Sequence, residues 1–546
     1  MKNGFLGITL IVVVAGAVIG GLFGRFSTAG LADTSITSAR ILADYREAIE
    51  VVEKNYVSPI DYEKITDTSV QGMLWTLDPH SSFFTRDEFR KLAEEQASEF
   101  YGIGVSILQH RDGVYVQSVV PNTPAEKAGL RYGDRFLEVD GRDAREWSSA
   151  EVSKNVRGPK GTTVRIKIER ASSPAPLEFS IIRGGVPLPS IRNYFMLPNG
   201  VGYVGLTGGF QETTAEELAD AMRELKNQGL TSLILDLRGN PGGILEQAIA
   251  VCSRYLPPNK TVVTVKGRSA YTKPRELKTI GGERDDVPLT VLINGGSASA
   301  SEIVAGAVQD YGRGLIVGTD SFGKGLVQRI FYLPYGTGLT LTTARYYTPF
   351  GRSLQRDYSN GSIYDYYVQH SDEEDSTVSE PHPKPAGSPV TLPDGRLLYG
   401  GRGIEPDVKV LPQQINSKRS RIAEAAFFFV RLLVAGKIAG FESYRIDRQS
   451  QSTDLKPGAF AINDRLFDAF KSVATEDKKN GLTAADIDRE SEFARLRLRY
   501  EIATANNSAE SGARVLLESD PQFLKAIEVL PDARKLLEKN FASLLK

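Results

Sequence analysis

Three serines, Ser297, Ser299 and Ser301, lie within the run Gly295-Gly296-Ser297-Ala298-Ser299-Ala300-Ser301-Glu302-Ile303. Their neighbours are small enough to let another polypeptide backbone come close. The run follows an apolar segment, Leu289 to Ile293, that reads as a buried strand, and it opens a helix reaching Asp310. A helix beginning there aims unpaired N–H groups and its positive end at whatever reacts, and developing negative charge on a carbonyl oxygen is stabilised at such a place. Serine also caps helices, so on this segment alone the capping role competes with the chemical one.

Lys324 shifts the balance. A helix of about twelve residues from Ser299 carries the chain ~18 Å away. The strand expected from Leu315 to Thr319 returns it at about 3.3 Å per residue. The loop Ser321-Phe322-Gly323-Lys324-Gly325 then comes back beside the serines, a spacing that permits a Ser–Lys contact. A lysine takes a proton from serine only when its amine is neutral, several units below its ordinary pKa of about 10.4. Burial among Phe322, Leu326 and Val327 is a route to that state. No carboxylate lies between Ser321 and Gln328 to hold the proton, and Gln328 is placed to fix the direction of the amine.

The elements that must position these groups form a long, multidomain chain. With 546 residues and a formal net charge of -1, the protein exceeds one core and shows no bulk attraction for nucleic acid. The lone Cys252 cannot form an internal disulfide, and the four histidines (His80, His110, His370, His382) lie outside the segments just described. No HExxH or paired His/Asp cluster appears, so neither a metal nor another cofactor is expected. Phe5 to Phe23 is uncharged and nearly all apolar, long enough for a membrane-spanning helix, with a cleaved signal peptide as the rival reading.

Beyond that segment (1–34) the pattern predicts a helical region over 35–97, a β-rich module over 98–186, an α/β core over 187–413 and a helical extension over 414–546. An acidic, Pro-rich insertion at 358–400 interrupts the core. In the core, Thr213 and Glu216 suggest a capping box, and Arg238-Gly239-Asn240-Pro241-Gly242-Gly243 a tight loop after the strand Leu233 to Leu237. Ala425 to Ala435 reads as a buried or oligomer-facing helix, and a homo-oligomer stays open.

Two resemblances follow. Tyr101-Gly102-Ile103-Gly104-Val105, with Pro124-Ala125-Glu126-Lys127-Ala128-Gly129-Leu130 and Gly133-Asp134-Arg135-Phe136-Leu137-Glu138-Val139-Asp140-Gly141, resembles a PDZ domain. Gly102, Ile103, Gly104 and Val105 would then receive a peptide's terminal carboxylate and add the peptide to a strand edge. Asp236 to Gly243, Ser297 to Ile303 and Phe322 to Gln328, with Asp78-Pro79-His80-Ser81-Ser82 and Gly403-Ile404-Glu405-Pro406-Asp407, resemble the carboxy-terminal processing peptidases, also called tail-specific proteases.

That likeness implies Ser299 as nucleophile, Lys324 as general base and Gln328 as its orienting partner. It also implies an oxyanion hole from the N–H of Ala300 and of Gly242, preferred to Gly243. The implied fold is a crotonase/ClpP-like protease core with an inserted PDZ domain. The implied substrates are exported or membrane-associated proteins with accessible C-terminal tails, met outside the cytoplasm. A catalytically silent, membrane-bound PDZ scaffold is the alternative.

Overall fold

The computed structural model describes residues 38–96, 99–268, 273–357, 387, 389–392, 395–456 and 458–545. The apolar stretch Phe5 to Phe23 and most of the acidic insertion fall outside these residues. Among the described residues no helix is long and apolar enough to cross a membrane. The chain divides into two units, 1–69 and 70–546. In the first, the helix Ser38–Asn55 buries none of its residues and exposes Ile41, Leu42, Tyr45 and Val52.

The second unit is built on a six-stranded sheet in the order Ile191–Met196, Val201–Leu206, Ser232–Asp236, Leu289–Ile293, Leu315–Gly318, Val408–Lys409. Its first pair is antiparallel and the rest are parallel. Ser232–Asp236 and Leu289–Ile293 are buried at every residue, which is why apolar side chains dominate both. Helices Thr214–Asn227, Leu245–Ser253 and Ala300–Asp310 contribute to the main core with Leu218, Val251 and Val304. The last helices of the chain supply Phe523, Ala526 and Leu530, which pack on Tyr203, Ile234 and Leu292. The C-terminal extension thus completes the core, a role its amphipathic pattern did not reveal.

A second sheet lies beside the first. It joins Ser82–Phe84, Gly338–Tyr347, Thr261–Gly267 and Arg275–Lys278, and Leu326–Tyr332 pairs with Gly338–Tyr347. The strand that follows Lys324 is thereby tied to the residues just after the Asp78 turn. The third sheet, from Val105–His110 through Leu177–Ile182, is the β-rich module, entered and left through the paired strands Glu99–Gly102 and Gly184–Pro187.

The helix Ser417–Val434 buries the predicted apolar segment within the chain. Phe427 and Phe429 share a cluster with Phe470, Leu498 and, from the β-rich module, Tyr115 and Tyr132. His110 stacks on Phe427 with ring centroids 3.8 Å apart and meets Glu424 at 2.7 Å. Each fully buried aromatic ring contributes about 1.5–3 kcal/mol, so this is a substantial contact. One local expectation fails: Thr213 is αR and caps nothing with its side chain, because its hydroxyl donates instead to Glu217 Oε1 at 2.5 Å.

Candidate active site

Of the three serines, two are used by the scaffold. Ser297 and Ser301 are fully buried and donate to the carbonyl oxygens of Leu237 and Asn240 at 2.8 and 2.9 Å, stitching the serine loop to the Arg238–Gly243 loop. Ser299 faces a cavity of about 1060 Å³ that Gly242, Gly243, Lys324 and Gln328 also line. Its backbone is unusual, with φ 53° and ψ -110° at the N-cap of Ala300–Asp310. A residue with a Cβ is strained there, by about 1–3 kcal/mol, and such a turn thrusts its side chain away from the helix it begins.

Gly242 makes this turn possible. It has φ +97°, and a Cβ on it would come within 2.8 Å of both Ala298 O and the Ser299 Cβ. We expect Gly242→Ala to abolish turnover while the protein still folds, because the nearest movable group is the Ser299 turn itself. Unchanged peptide hydrolysis with an unchanged circular dichroism spectrum would contradict that. The two glycines expected as oxyanion donors differ in what their N–H groups do. The Gly242 N–H donates to Asn240 Oδ1 at 2.9 Å, whereas among the described residues the Gly243 N–H makes no hydrogen bond. Gly242 is also the glycine packed 3.0 Å from the Ala300 nitrogen, measured from its would-be Cβ.

Lys324 sits below its ordinary pKa because burial disfavours the charged amine, with Glu302 and Asp78 opposing the shift. Both carboxylates were missed by looking only within the Ser321–Gln328 segment. Glu302 is fully buried and joins the two halves of the site. Its Oε2 accepts from the N–H of Ser299 and of Lys324, both at 2.8 Å. Its Oε1 accepts from Ser321 Oγ at 2.5 Å and Gly323 N–H at 2.7 Å. Burial raises its pKa and these four donors pull against that. The capping-box position of Glu302, three residues after Ser299, was the one local sign of it.

The remaining landmarks brace the lysine loop. Ile404 N–H donates to Ser321 Oγ at 2.7 Å, and Gly403, with φ +82°, lies so close that a Cβ would meet Glu302 Oε1 at 2.7 Å. Asp78 gathers the N–H groups of His80 and Ser81, each at 2.8 Å, and Ser81 Oγ accepts from Thr342 N–H at 3.1 Å. His80, outside those segments in sequence, comes to them in the fold: it approaches Phe322 edge-on, and its pKa is lowered to about 4 by burial and then by Lys324.

Two predicted contacts are not made in this arrangement. Gln328 Nε2 donates to Thr342 Oγ1 at 3.4 Å, across a bulge between Val327 and Gln328. The Lys324 amine makes no hydrogen bond or ion pair among the described residues, so it does not hold the Ser299 hydroxyl. Cavity, strained serine and depressed amine share one wall, while the final hydrogen bonds of a dyad are open.

In the β-rich module a smaller groove runs between the edge strand Val105–His110 and the helix Ser149–Val156, lined by Ile103, Gly104, Val105, Phe136 and Val156. Gly104 has φ +88°, and a Cβ there would overlap Thr123 at 2.3 Å. Gly102 does not line the groove; it ends the strand paired with Gly184–Pro187.

Comparison with known proteins agrees with this architecture. Residues 200–368 match the model of peptidase family S41, and residues 91–169 that of the PDZ domain. The carboxy-terminal-processing protease of Bartonella bacilliformis is 37% identical over 318 residues, which cover 58% of this chain and 72% of that one. The carboxy-terminal processing protease CtpA of Bacillus subtilis is 30% identical over 354 residues, covering 64% and 74%. Among solved structures, the photosystem II D1 C-terminal processing protease matches at 26% identity and a TM-score of 0.35, covering 69% of this chain and 93% of that chain. The chain belongs to the carboxy-terminal-processing serine proteases of family S41, and it carries a PDZ domain.

Proposed function

We propose that this protein is a serine endopeptidase in which Ser299 attacks the scissile carbonyl and Lys324, as neutral amine, takes its proton. The observation that carries this is the strained Ser299 turn facing the same cavity as a lysine whose buried amine is held below its ordinary pKa. The glycine loop and Ala300 supply backbone N–H groups for the oxyanion, and Gln328 turns from Thr342 to the amine when substrate fills the cavity. The core is then of the crotonase/ClpP-like type, and the PDZ groove receives the C-terminal tail of a protein substrate.

The open Lys324 amine supports a gated enzyme, whose dyad closes on occupation of the groove or cavity. The Phe5 to Phe23 stretch supports a membrane tether with the catalytic part outside the cytoplasm, or secretion where that stretch is removed.

A serine-directed covalent probe, followed by peptide mapping, tests the assignment. Label should appear on Ser299, increase when a peptide with an apolar C-terminus is added, and disappear in Lys324→Ala. Label on another serine would sink the mechanism, and no label with or without peptide would favour the silent scaffold.

A further inference from the structure

The cavity around Ser299 is strongly basic, in a chain whose charges otherwise nearly cancel. Arg157, Arg192, Arg275 and Arg329 line it, against the carboxylate of Glu246. None of the four guanidinium groups makes an ion pair or hydrogen bond among the described residues. Arg157 lies over the Phe100 ring at 4.1 Å and Arg329 over Phe331 at 5.7 Å, contacts that leave the guanidinium edges free to donate. Several arginines elsewhere in the fold are neutralised, Arg238 by Asp236 and Asp520, Arg254 by Asp285 and Arg352 by Asp310.

Gathering like charges round one concave surface raises its potential and costs stability, and an anionic occupant reverses both effects. The arginines come from four different elements: the end of helix Ser149–Val156 and the strands Ile191–Met196, Arg275–Lys278 and Leu326–Tyr332. Spread over four elements, they suit carboxylates spaced along an extended peptide better than a single terminal carboxylate. Guanidinium recognises carboxylate through paired N–H donors, which favours this class of occupant over a merely polar one.

Building on the proteolytic reading above, we propose that the cleft selects polypeptide segments carrying acidic side chains on either side of the bond to be cut.

The test is binding without turnover. Full-length Ser299→Ala is titrated, by fluorescence anisotropy, with labelled peptides of one length that carry Glu, Gln or Lys at the positions flanking a fixed central bond. Each is made with a free and with an amidated C-terminus. The Glu peptide should bind on the order of 5–30-fold tighter than its Gln counterpart at low salt, the two converging above about 0.5 M. That ratio should survive amidation, and Arg192→Glu with Arg329→Glu should make the Lys peptide the tightest.

Equal binding of Glu and Gln peptides overturns the proposal, as does an unchanged ratio in the double variant. A ratio that vanishes on amidation assigns the arginines to the terminal carboxylate and also overturns it. The same peptides given to the unmodified enzyme separate the two readings. Binding preference without Ser299-dependent cleavage refutes the protease mechanism alone, and cleavage indifferent to Glu or Gln refutes the acidic selection alone.

Discussion

Ser299→Gly should give a protein that is more stable than its parent and has no measurable turnover. The backbone at this position, φ 53° and ψ -110°, belongs to glycine's territory, and serine holds it only because the surrounding loops leave no alternative. Removing the Cβ relieves strain of about 1 kcal/mol or somewhat more, and glycine is tolerated at a helix N-cap. A greater cost in the unfolded chain offsets part of the gain. With Ser299 as the proposed nucleophile, its loss should lower turnover by about 10⁴-fold or more. Thermal melting and peptide hydrolysis together decide the matter. A lower melting temperature would show that the turn is not strained, and retained activity would move the nucleophile elsewhere.

Lys324→Met is the second large effect and has the same shape. Methionine fills the volume of the lysine stem without an amine, so general-base help worth about 10²–10⁴-fold is lost. The sign of the stability change follows from the lowered pKa. The unfolded chain takes up the proton first as pH falls from about 10.5, so the parent fold loses stability through that window and carries the deficit at every lower pH. Methionine has no such deficit, and near neutrality the variant should melt higher than the parent. In the parent, the rate should rise with pH to a plateau through an apparent pKa below 10.5, as the amine loses its proton. A flat pH profile, or a variant that melts lower at neutral pH, would remove Lys324 from the role of base.

Both variants would then trade catalysis for stability, the signature of groups the fold holds against their own preference.

What could be read from the sequence divides along physical lines. The central strands were legible because Ser232–Asp236 and Leu289–Ile293 are buried throughout and therefore mostly apolar, with Ser232 and Asp236 at the ends of the first and Thr290 in the second. The return of Lys324 to the serines was legible because a helix and a strand of known rise fix how far the chain travels. The strain at Ser299 was not, since serine's type says nothing of a φ imposed by Gly242 and the Arg238 loop. Glu302 appeared in the motif, but its task of joining the backbones of Ser299 and Lys324 exists only once both loops are folded. Looking for counter-charges within one segment missed Asp78 for the same reason, being hundreds of residues away. Phe427, Phe429 and Leu433 announced an apolar helix face, yet such a face fits many surfaces, and the module that covers part of it could not be named from periodicity.

That cover has a mechanical meaning. Arg111 reaches Asp477 and Asn480, Tyr132 reaches Glu501 at 2.8 Å, and Arg431 reaches Glu169 at 2.7 Å, around the stacked rings of His110 and Phe427. Parting the PDZ sheet from these helices would expose aromatic surface and strand several charges. The PDZ fold and the helices behind it are therefore held to one another as one packed body, which the chain enters and leaves through the paired strands Glu99–Gly102 and Gly184–Pro187.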